Sequence, residues 1–259
     1  ISMGGVIARY ALAKAENDGM PLPVSKFVSL DSPHQEAVIS NALQDFVKNG
    51  TFCSPDDKWV YFSLESDAAK EMLIDNAFDP NSTIHKNFYS ELNRLNSNGY
   101  PHLTENIGVS FSTNISNSNS GNWGNIHYSG LFGIYYPCGI NKDLSLSGDQ
   151  LLSGSYLPLS NTDEKEIFWG HLTISRSSNP TFIPHKSALD LDAAGKSKFD
   201  KTIIPSVTGY HDVVPDEILD PLINALLVDN VYLQNKSITD TRTYIAGKTI
   251  TVGNNVNPN

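Results

Sequence analysis

The first residues of the chain contain a serine in a pattern that could make it a nucleophile. Ser2-Met3-Gly4-Gly5 matches the second half of G-x-S-x-G, in which a serine stands on a sharp turn between a strand and a helix. We expect the glycine two residues after the serine to be needed because this turn leaves no room for a side chain. In this chain that position is Gly4.

The segments after Ser2 fit a turn that leads into a helix. Residues 3–18 (MGGVIARYALAKAEND) predict a helix, because apolar residues recur at helical spacing until Asn17. Residues 24–30 (VSKFVSL) form a short apolar run that predicts a buried strand. This order favours a nucleophile over the alternative in which Ser2 only caps the helix.

Three further motifs carry a resemblance to a known family. They are FVSLDSPHQEA at 27–37, FIPHKSALD at 182–190 and the late pair Tyr210-His211. Together with SMGGVIARYALAK at 2–14, they resemble the serine lipases and esterases of the α/β-hydrolase fold. The likeness is greatest to the post-GPI-attachment-protein-like and lecithin–cholesterol-acyltransferase-like branch, as in large secreted proteins of Bacteroidetes-type bacteria. It touches most of residues 1–228.

The resemblance implies the fold, the reaction and the surroundings of the protein. We expect the C-terminal part of an α/β-hydrolase sheet, truncated before its first strands. The expected reaction is cleavage of a carboxylic ester or lipid through an acyl-enzyme on Ser2, with no metal or cofactor. Met3 would supply a backbone N–H to the oxyanion hole. The resemblance also implies a secreted or cell-surface protein.

The base that activates the serine is expected to be His211. In α/β-hydrolases the catalytic residues follow the chain order Ser, Asp or Glu, His. Among the seven histidines, His211 follows an apolar run at 202–207 and precedes a predicted helix at 216–227. His34, in the turn after the first predicted strand, is expected to be structural or to face the substrate.

Two aspartates remain open as the acid that orients the base. The family often carries this acid in a G-D-G-x-V-P stretch, whose counterpart at 178–184 has no carboxylate. Asp31 directly follows the predicted strand after the serine, and Asp190 ends the SALD run. Glu36 departs from the family, which has glycine there, and this leaves the shape of the DSPHQ turn open.

The remaining chain predicts three additions to residues 1–228 as a partial hydrolase domain. Residues 35–100 predict a lid-like group of helices, in stretches 35–48, after Ser66 and 85–95. Its apolar residues could meet an acyl chain or pack in the core: Phe46, Phe52, Trp59, Phe62, Met72 and Phe78. Residues 114–180 predict short strands and turns, as an insertion. Residues 229–259 predict the start of a β-rich, adhesin-like module.

Composition excludes two other classes of function. The 259 residues carry 18 basic and 28 acidic side chains, a formal charge of −10, which argues against a nucleic-acid partner. No apolar stretch approaches the roughly 18 residues that a membrane span needs. The first residues do not form a signal peptide and are typical of a domain interior. The sequence leaves open the oligomeric state and whether Cys53 and Cys138 pair.

A second function class stays open beside the enzyme. A hydrolase-like domain without catalysis could act as a surface binding or adhesion module. The missing G-D-G acid, Glu36 and the β-rich tail favour this alternative. The intact SMGG helix and His211 favour the enzyme.

Overall fold

A computed structural model describes most of the first 227 residues and short strands beyond them. The described residues are 1–49, 61–114, 124–130, 142–146, 153–158, 162–167, 170–176, 179–227, 230–233, 237–238, 249–252 and 257–258. The chain divides into two compact units, Ile1–Val214 and Pro215–Asn259. The predicted boundary at residue 228 stays a prediction. Cys53, Cys138, Phe52 and Trp59 lie outside the described residues.

The first unit alternates helices and strands. Its helices are α1 (Met3–Asn17), α2 (Asn41–Asn49), α3 (Asp67–Met72), α4 (Thr83–Arg94) and α5 (His185–Ala188), and residues 61–65 are also helical. A short 3-10 turn, Leu95–Ser97, follows α4. Its strands are β1 (Lys26–Leu30), β2 (Glu105–Val109), β3 (Gly124–Gly130), β4 (Lys142–Leu146), β5 (Gly154–Tyr156), β6 (Thr162–Ile167), β7 (Gly170–Arg176), β8 (Thr181–Pro184) and β9 (Lys201–Ile203).

A small parallel sheet carries the carboxyl ends of three strands to one edge. Its order is β1-β2-β9, and all its pairs are parallel. The register brings Leu30 beside Val109 and Val109 beside Ile203. The central strand β2 is almost wholly buried, as expected for a parallel sheet covered on both faces. Residues that follow these strands therefore gather at one edge.

Helix α1 packs its apolar stripe against α3 and α4, in the region predicted as a lid-like group of helices. Val6 and Ala13, seven residues apart on one face, are buried with Met72, Tyr89 and Leu92 of α3 and α4. The helix ends where Gly19 adopts φ of 74°, a conformation that glycine favours. This packing fixes the start of α1, and with it the turn at Ser2.

The predicted helix at 35–48 is shorter than expected. Helix α2 begins only at Asn41, because residues before it pair with distant parts of the chain. Ala37 forms an isolated parallel bridge with Leu73, and Val38 N–H donates to Phe182 O at 2.8 Å. The helix predicted after Ser66 is present as α3, capped by the Ser66 hydroxyl, which accepts from Ala69 N–H, and it ends at Met72 rather than running through DAAKEMLIDNA.

The region predicted as an insertion contains strands in two separate pairings. A four-stranded antiparallel sheet has the order β4-β3-β7-β6. Strand β5 pairs instead with β8, which leads directly into α5. With its helices, small parallel sheet and antiparallel strands, the unit agrees with an α/β class.

The second unit has a short helix and small strand pairs. A 3-10 turn, Asp216–Ile218, leads into α6 (Leu219–Leu226). Pro221 lies in the first turn of this helix, where a missing backbone N–H is tolerated. Strands β10 (Asn230–Leu233) and β12 (Thr249–Val252) pair in parallel, as do β11 (Ser237–Ile238) and β13 (Asn257–Pro258). Much of the β-rich module predicted at 229–259 lies outside the described residues. Within the described part of the chain, no helix has the length and apolarity needed to cross a membrane.

Candidate active site

Ser2 occupies a strained turn at the start of α1. Its backbone has φ of 57° and ψ of −143°, a region that costs a residue other than glycine about 1–3 kcal/mol. Its N–H donates to Leu30 O at 3.0 Å, which ties the turn to the end of β1. The Ser2 side chain makes no helix-capping hydrogen bond. The alternative of a simple capping serine therefore has no support in the geometry.

His211 lies directly beside the serine. Its Nε2 is 2.9 Å from Ser2 Oγ. The ring is buried, and the Phe182 ring packs against it edge-on with centroids 4.8 Å apart. The His211 backbone N–H donates to Tyr156 O at 3.0 Å, which holds the loop that carries it.

Asp31 completes the chain of hydrogen bonds on the far side of the imidazole. Its Oδ2 lies 2.7 Å from His211 Nδ1. The residue follows β1 directly, at the sheet edge where β2 also ends, and its N–H donates to Val109 O. Phe111 N–H donates to Asp31 Oδ1 at 3.0 Å, and the Ser155 hydroxyl donates to Oδ2 at 2.6 Å. The carboxylate is therefore fixed and fully buried.

This arrangement can support nucleophilic catalysis. A carboxylate that accepts from Nδ1–H leaves the lone pair of Nε2 facing the serine hydroxyl. The imidazole is then placed to take the proton of Ser2, and Asp31 stabilises the imidazolium that forms. Sequence reasoning named all three residues. The structure places Ser2 and Asp31 on opposite sides of the His211 imidazole, each within hydrogen-bond distance of it.

The start of α1 offers backbone donors beside the serine. Met3 is the first residue of the helix, so its N–H has no acceptor within the helix. The sterically required glycine is Gly5, which corrects the expectation for Gly4. Among the described atoms, a Cβ on Gly4 would meet nothing within 4 Å, whereas one on Gly5 would lie 2.1 Å from Ser32 Oγ. Gly5 lets α1 pass close to the strand end.

Asp190, the other candidate acid, does not approach His211. Its Oδ2 pairs with Arg9 Nη1 at 3.1 Å and accepts from the Tyr100 hydroxyl at 2.9 Å. Its Oδ1 accepts from Gln35 Nε2 at 2.8 Å. We call Arg9, Asp190, Tyr100, Gln35 and His34 the arginine cluster. In the geometry of the site, Asp31 and not Asp190 is the partner of the imidazole.

His34 belongs to the arginine cluster rather than to a surface that substrate could reach. Its side chain is buried, with Nε2 2.7 Å from Ser29 Oγ and Nδ1 3.4 Å from Arg9 Nη1. Burial, together with the Arg9 charge, holds the pKa of His34 well below its ordinary value. The ring is therefore neutral and buried, which fits the structural one of its two expected roles, and it is not among the described residues that line the cavity at Ser2.

Glu36 is accommodated in the turn where the resembling family has glycine. Its N–H and that of Gln35 both donate to Ser187 Oγ, at 2.8 and 3.1 Å. Its carboxylate lies 3.5 Å from Lys186 Nζ. The first turn of α5 therefore anchors this segment.

An apolar cavity of about 500 Å³ opens at Ser2. Ser2 and Met3 line it at one place, and Ser63 and Ser66 are its other polar or mixed neighbours. The apolar lining comes from the region predicted as a lid-like group of helices and from segments beside it: Pro33, Ala37, Ile39, Phe62, Leu64, Ala68, Ala69, Met72, Leu73, Phe182 and Ile183. Of the residues predicted to face an acyl chain, Phe62 and Met72 line this cavity and Phe78 does not.

Sequence reasoning missed Ser155, which holds the acid of the site, and Arg9, which holds the fold beside it. Arg9 lies on the same helical face as Val6 and Ala13, and a charge on a buried stripe is a signal for an internal partner. Ser155 gave no signal, because it is one serine in a Ser- and Gly-rich stretch. The described residues hold no group of three or more His, Cys, Asp or Glu side chains placed to bind a metal.

Comparison with protein-family models, curated proteins and solved structures gives no match for this chain. The resemblance to α/β-hydrolases therefore stays a prediction, and the function is argued from the geometry of the site.

Proposed function

We propose that this chain is a serine hydrolase that cleaves carboxylic esters, of lipids or similar acyl compounds, through an acyl-enzyme on Ser2. The observation that carries the proposal is the unbroken line of hydrogen bonds from Ser2 Oγ through His211 to Asp31. The strained backbone of Ser2, at the junction of a strand end and a helix, supports it.

The reaction follows from the order of these groups. His211 Nε2 takes the hydroxyl proton as Ser2 Oγ bonds to the ester carbonyl carbon, and the carbonyl oxygen becomes an oxyanion. Met3 N–H donates to that oxyanion. The ester C–O bond then breaks, and His211 gives its proton to the leaving alcohol. Water repeats the sequence on the acyl-enzyme and releases the acid.

The cavity at Ser2 supports an apolar acyl group as the part of the substrate that is recognised. Its walls are formed largely by aliphatic and aromatic side chains, among them Leu73, Phe182 and Ile183. Such a surface gains free energy by removing an alkyl chain from water. Among the described residues that line it, none carries a charge that could hold a polar acyl substituent.

The test is covalent labelling of the folded protein with a fluorophosphonate, read by intact mass. We expect one adduct per chain, none in Ser2→Ala, and unchanged labelling in Ser25→Ala, an exposed serine control. Circular dichroism shows that each variant is folded. A folded wild-type protein that does not react contradicts the proposal and leaves the surface binding module as the working account.

A further inference from the structure

Strand β5, within the region predicted as an insertion, touches both the base and the acid. Ser155 contacts Asp31 through its side chain, and Tyr156 contacts the loop of His211 through its backbone. This connection runs between residues 124 positions apart in the sequence. Nothing in the order Ser, Asp, His requires such a strand.

The side chain of Ser155 contacts the acid at the oxygen that serves the base. Asp31 Oδ2 receives the Ser155 hydroxyl at 2.6 Å and lies 2.7 Å from His211 Nδ1. Ser155 is fully buried, so no water replaces its hydroxyl without rearrangement. Because Phe111 N–H holds Oδ1, the two donors together fix the rotation of the carboxylate.

The backbone of the next residue fixes the base. Tyr156 N–H donates to Gly209 O, and Tyr156 O accepts from His211 N–H, each at 3.0 Å. The strand is itself held by its antiparallel pairing with β8. At Gly154 the approach is so close that a Cβ would lie 2.3 Å from Ile183 O. Close backbone pairing on both sides therefore holds the strand that presents Ser155, and its register with β8 shifts between Ser155 and Tyr156.

We propose that Ser155 is a positioning residue that fixes the Asp31 carboxylate against His211, an inference that rests on the proposed function. The hydroxyl donates to Oδ2 and so keeps that oxygen facing Nδ1. It also disperses the negative charge of the carboxylate. Without it, the carboxylate rotates more freely and attracts the imidazole proton more strongly.

The experiment compares fluorophosphonate labelling rates of the wild type, Ser155→Ala and Ser155→Cys across pH. For Ser155→Ala we expect a rate loss on the order of tenfold, the size of one charge-assisted hydrogen bond. The midpoint of the rise in rate with pH is expected to move upward by roughly half a pH unit. Ser155→Cys keeps the shape of the side chain, slightly enlarged, with a weaker donor, so its rate is expected between the two.

Ser153→Ala is the matched control. Its hydroxyl donates to Thr113 O and touches neither Asp31 nor His211, so labelling and pH profile are expected to stay as in the wild type. Thermal unfolding of each variant separates loss of the fold from loss of positioning. If Ser155→Ala is unfolded, the labelling rate and pH profile of Ser155→Cys alone test the positioning role.

The outcomes separate the two proposals. A wild-type protein that does not label overturns the proposed function. A wild-type protein that labels, beside folded Ser155 variants with the same rate and pH profile, overturns the positioning role alone.

Discussion

Two buried aspartates, Asp31 and Asp190, show how similar carboxylates serve different ends. Both are fully enclosed, and both have positive φ, 44° and 43°. Both accept several hydrogen bonds. Asp31 faces an imidazole that continues to Ser2 and the apolar cavity, whereas Asp190 faces the guanidinium of Arg9.

The difference lies in what the partner can do with a proton. An imidazole exchanges protons near neutral pH, so a carboxylate beside it can tune a base. A guanidinium stays charged, so the pair of Arg9 and Asp190 can only neutralise and orient. The cost of burying this pair is offset by further bonds, including Arg9 Nε to Gly99 O at 2.7 Å. One aspartate is therefore placed for chemistry and the other for architecture.

The largest expected effect comes from replacing each aspartate by asparagine. Asp31→Asn is expected to slow labelling by roughly 10³–10⁴-fold, because an amide neither orients nor stabilises the imidazolium. Asp190→Asn is expected to keep the labelling rate within about threefold once folded, since Asp190 does not contact the base. The labelling rates of the two variants are compared at a temperature at which both are folded. A folded Asp190→Asn as slow as Asp31→Asn would break the comparison.

The second effect concerns stability. Arg9→Met is expected to lower the free energy of unfolding by about 3 kcal/mol, because it leaves the buried Asp190 carboxylate with only the partly exposed Lys198 ammonium, 3.4 Å away, as its cation among the described residues. Urea unfolding measures the loss. Lys14→Met is the control, since it breaks the exposed pair with Asp18 on the same helix and is expected to change nothing measurable. Equal losses in the two variants would contradict a structural role for the buried pair.

A smaller effect is expected at the cavity, which opens at Ser2 and so belongs to the line of hydrogen bonds from Asp31 and not to Asp190. Ala69→Phe fills the apolar space and is expected to slow cleavage of a p-nitrophenyl decanoate by roughly 10–100-fold. The acetate ester needs little of the cavity and is expected to be cleaved within about threefold of the wild-type rate. Ala194→Phe places the same ring on an exposed loop. An equal effect on both esters would exclude the cavity as the acyl site.

The smallest effect is in the pH dependence of stability, through His34 in the arginine cluster. The pKa of His34 is lowered in the folded protein. Below about pH 6.5 the unfolded chain therefore binds a proton at His34 that the folded chain does not bind. Stability therefore falls as pH falls below that value, by up to about 1.4 kcal/mol per pH unit from this group. His34→Gln is expected to flatten the fall measured by urea unfolding between pH 7 and 5. His102→Gln, at an exposed position, is expected to leave it unchanged.

The sequence was sufficient to predict the parts of the site that depend on local order. Ser2 before a helix, Asp31 at a strand end and His211 after the last strand each follow from neighbouring residues. A choice between Asp31 and Asp190 needed the fold, because it depends on which strand end lies beside the His211 loop. Local pattern carries no information on that distance.

The errors have similar causes. The helix expected from residue 35 begins at Asn41 because Ala37 and Val38 pair with distant segments, and tertiary pairing overrides local propensity. Motif position alone points to Gly4, whereas the crowding at Gly5 arises from the side chains of Ser29 and Ser32 across the turn. The role of Ser155 depends on its hydrogen bond to Asp31, 124 positions away, which no local pattern indicates.

The separation of Ser2 and His211 along the chain has a consequence for synthesis. They are 209 positions apart, so at about 5–20 residues per second a ribosome adds His211 roughly 10–40 s after Ser2. Until then the serine has an ordinary, unreactive hydroxyl, and the nascent chain cannot attack surrounding lipids or become acylated early. On the proposed function, reactivity switches on with completion of Ile1–Val214, and probe labelling counts the chains in which this unit has been made and folded.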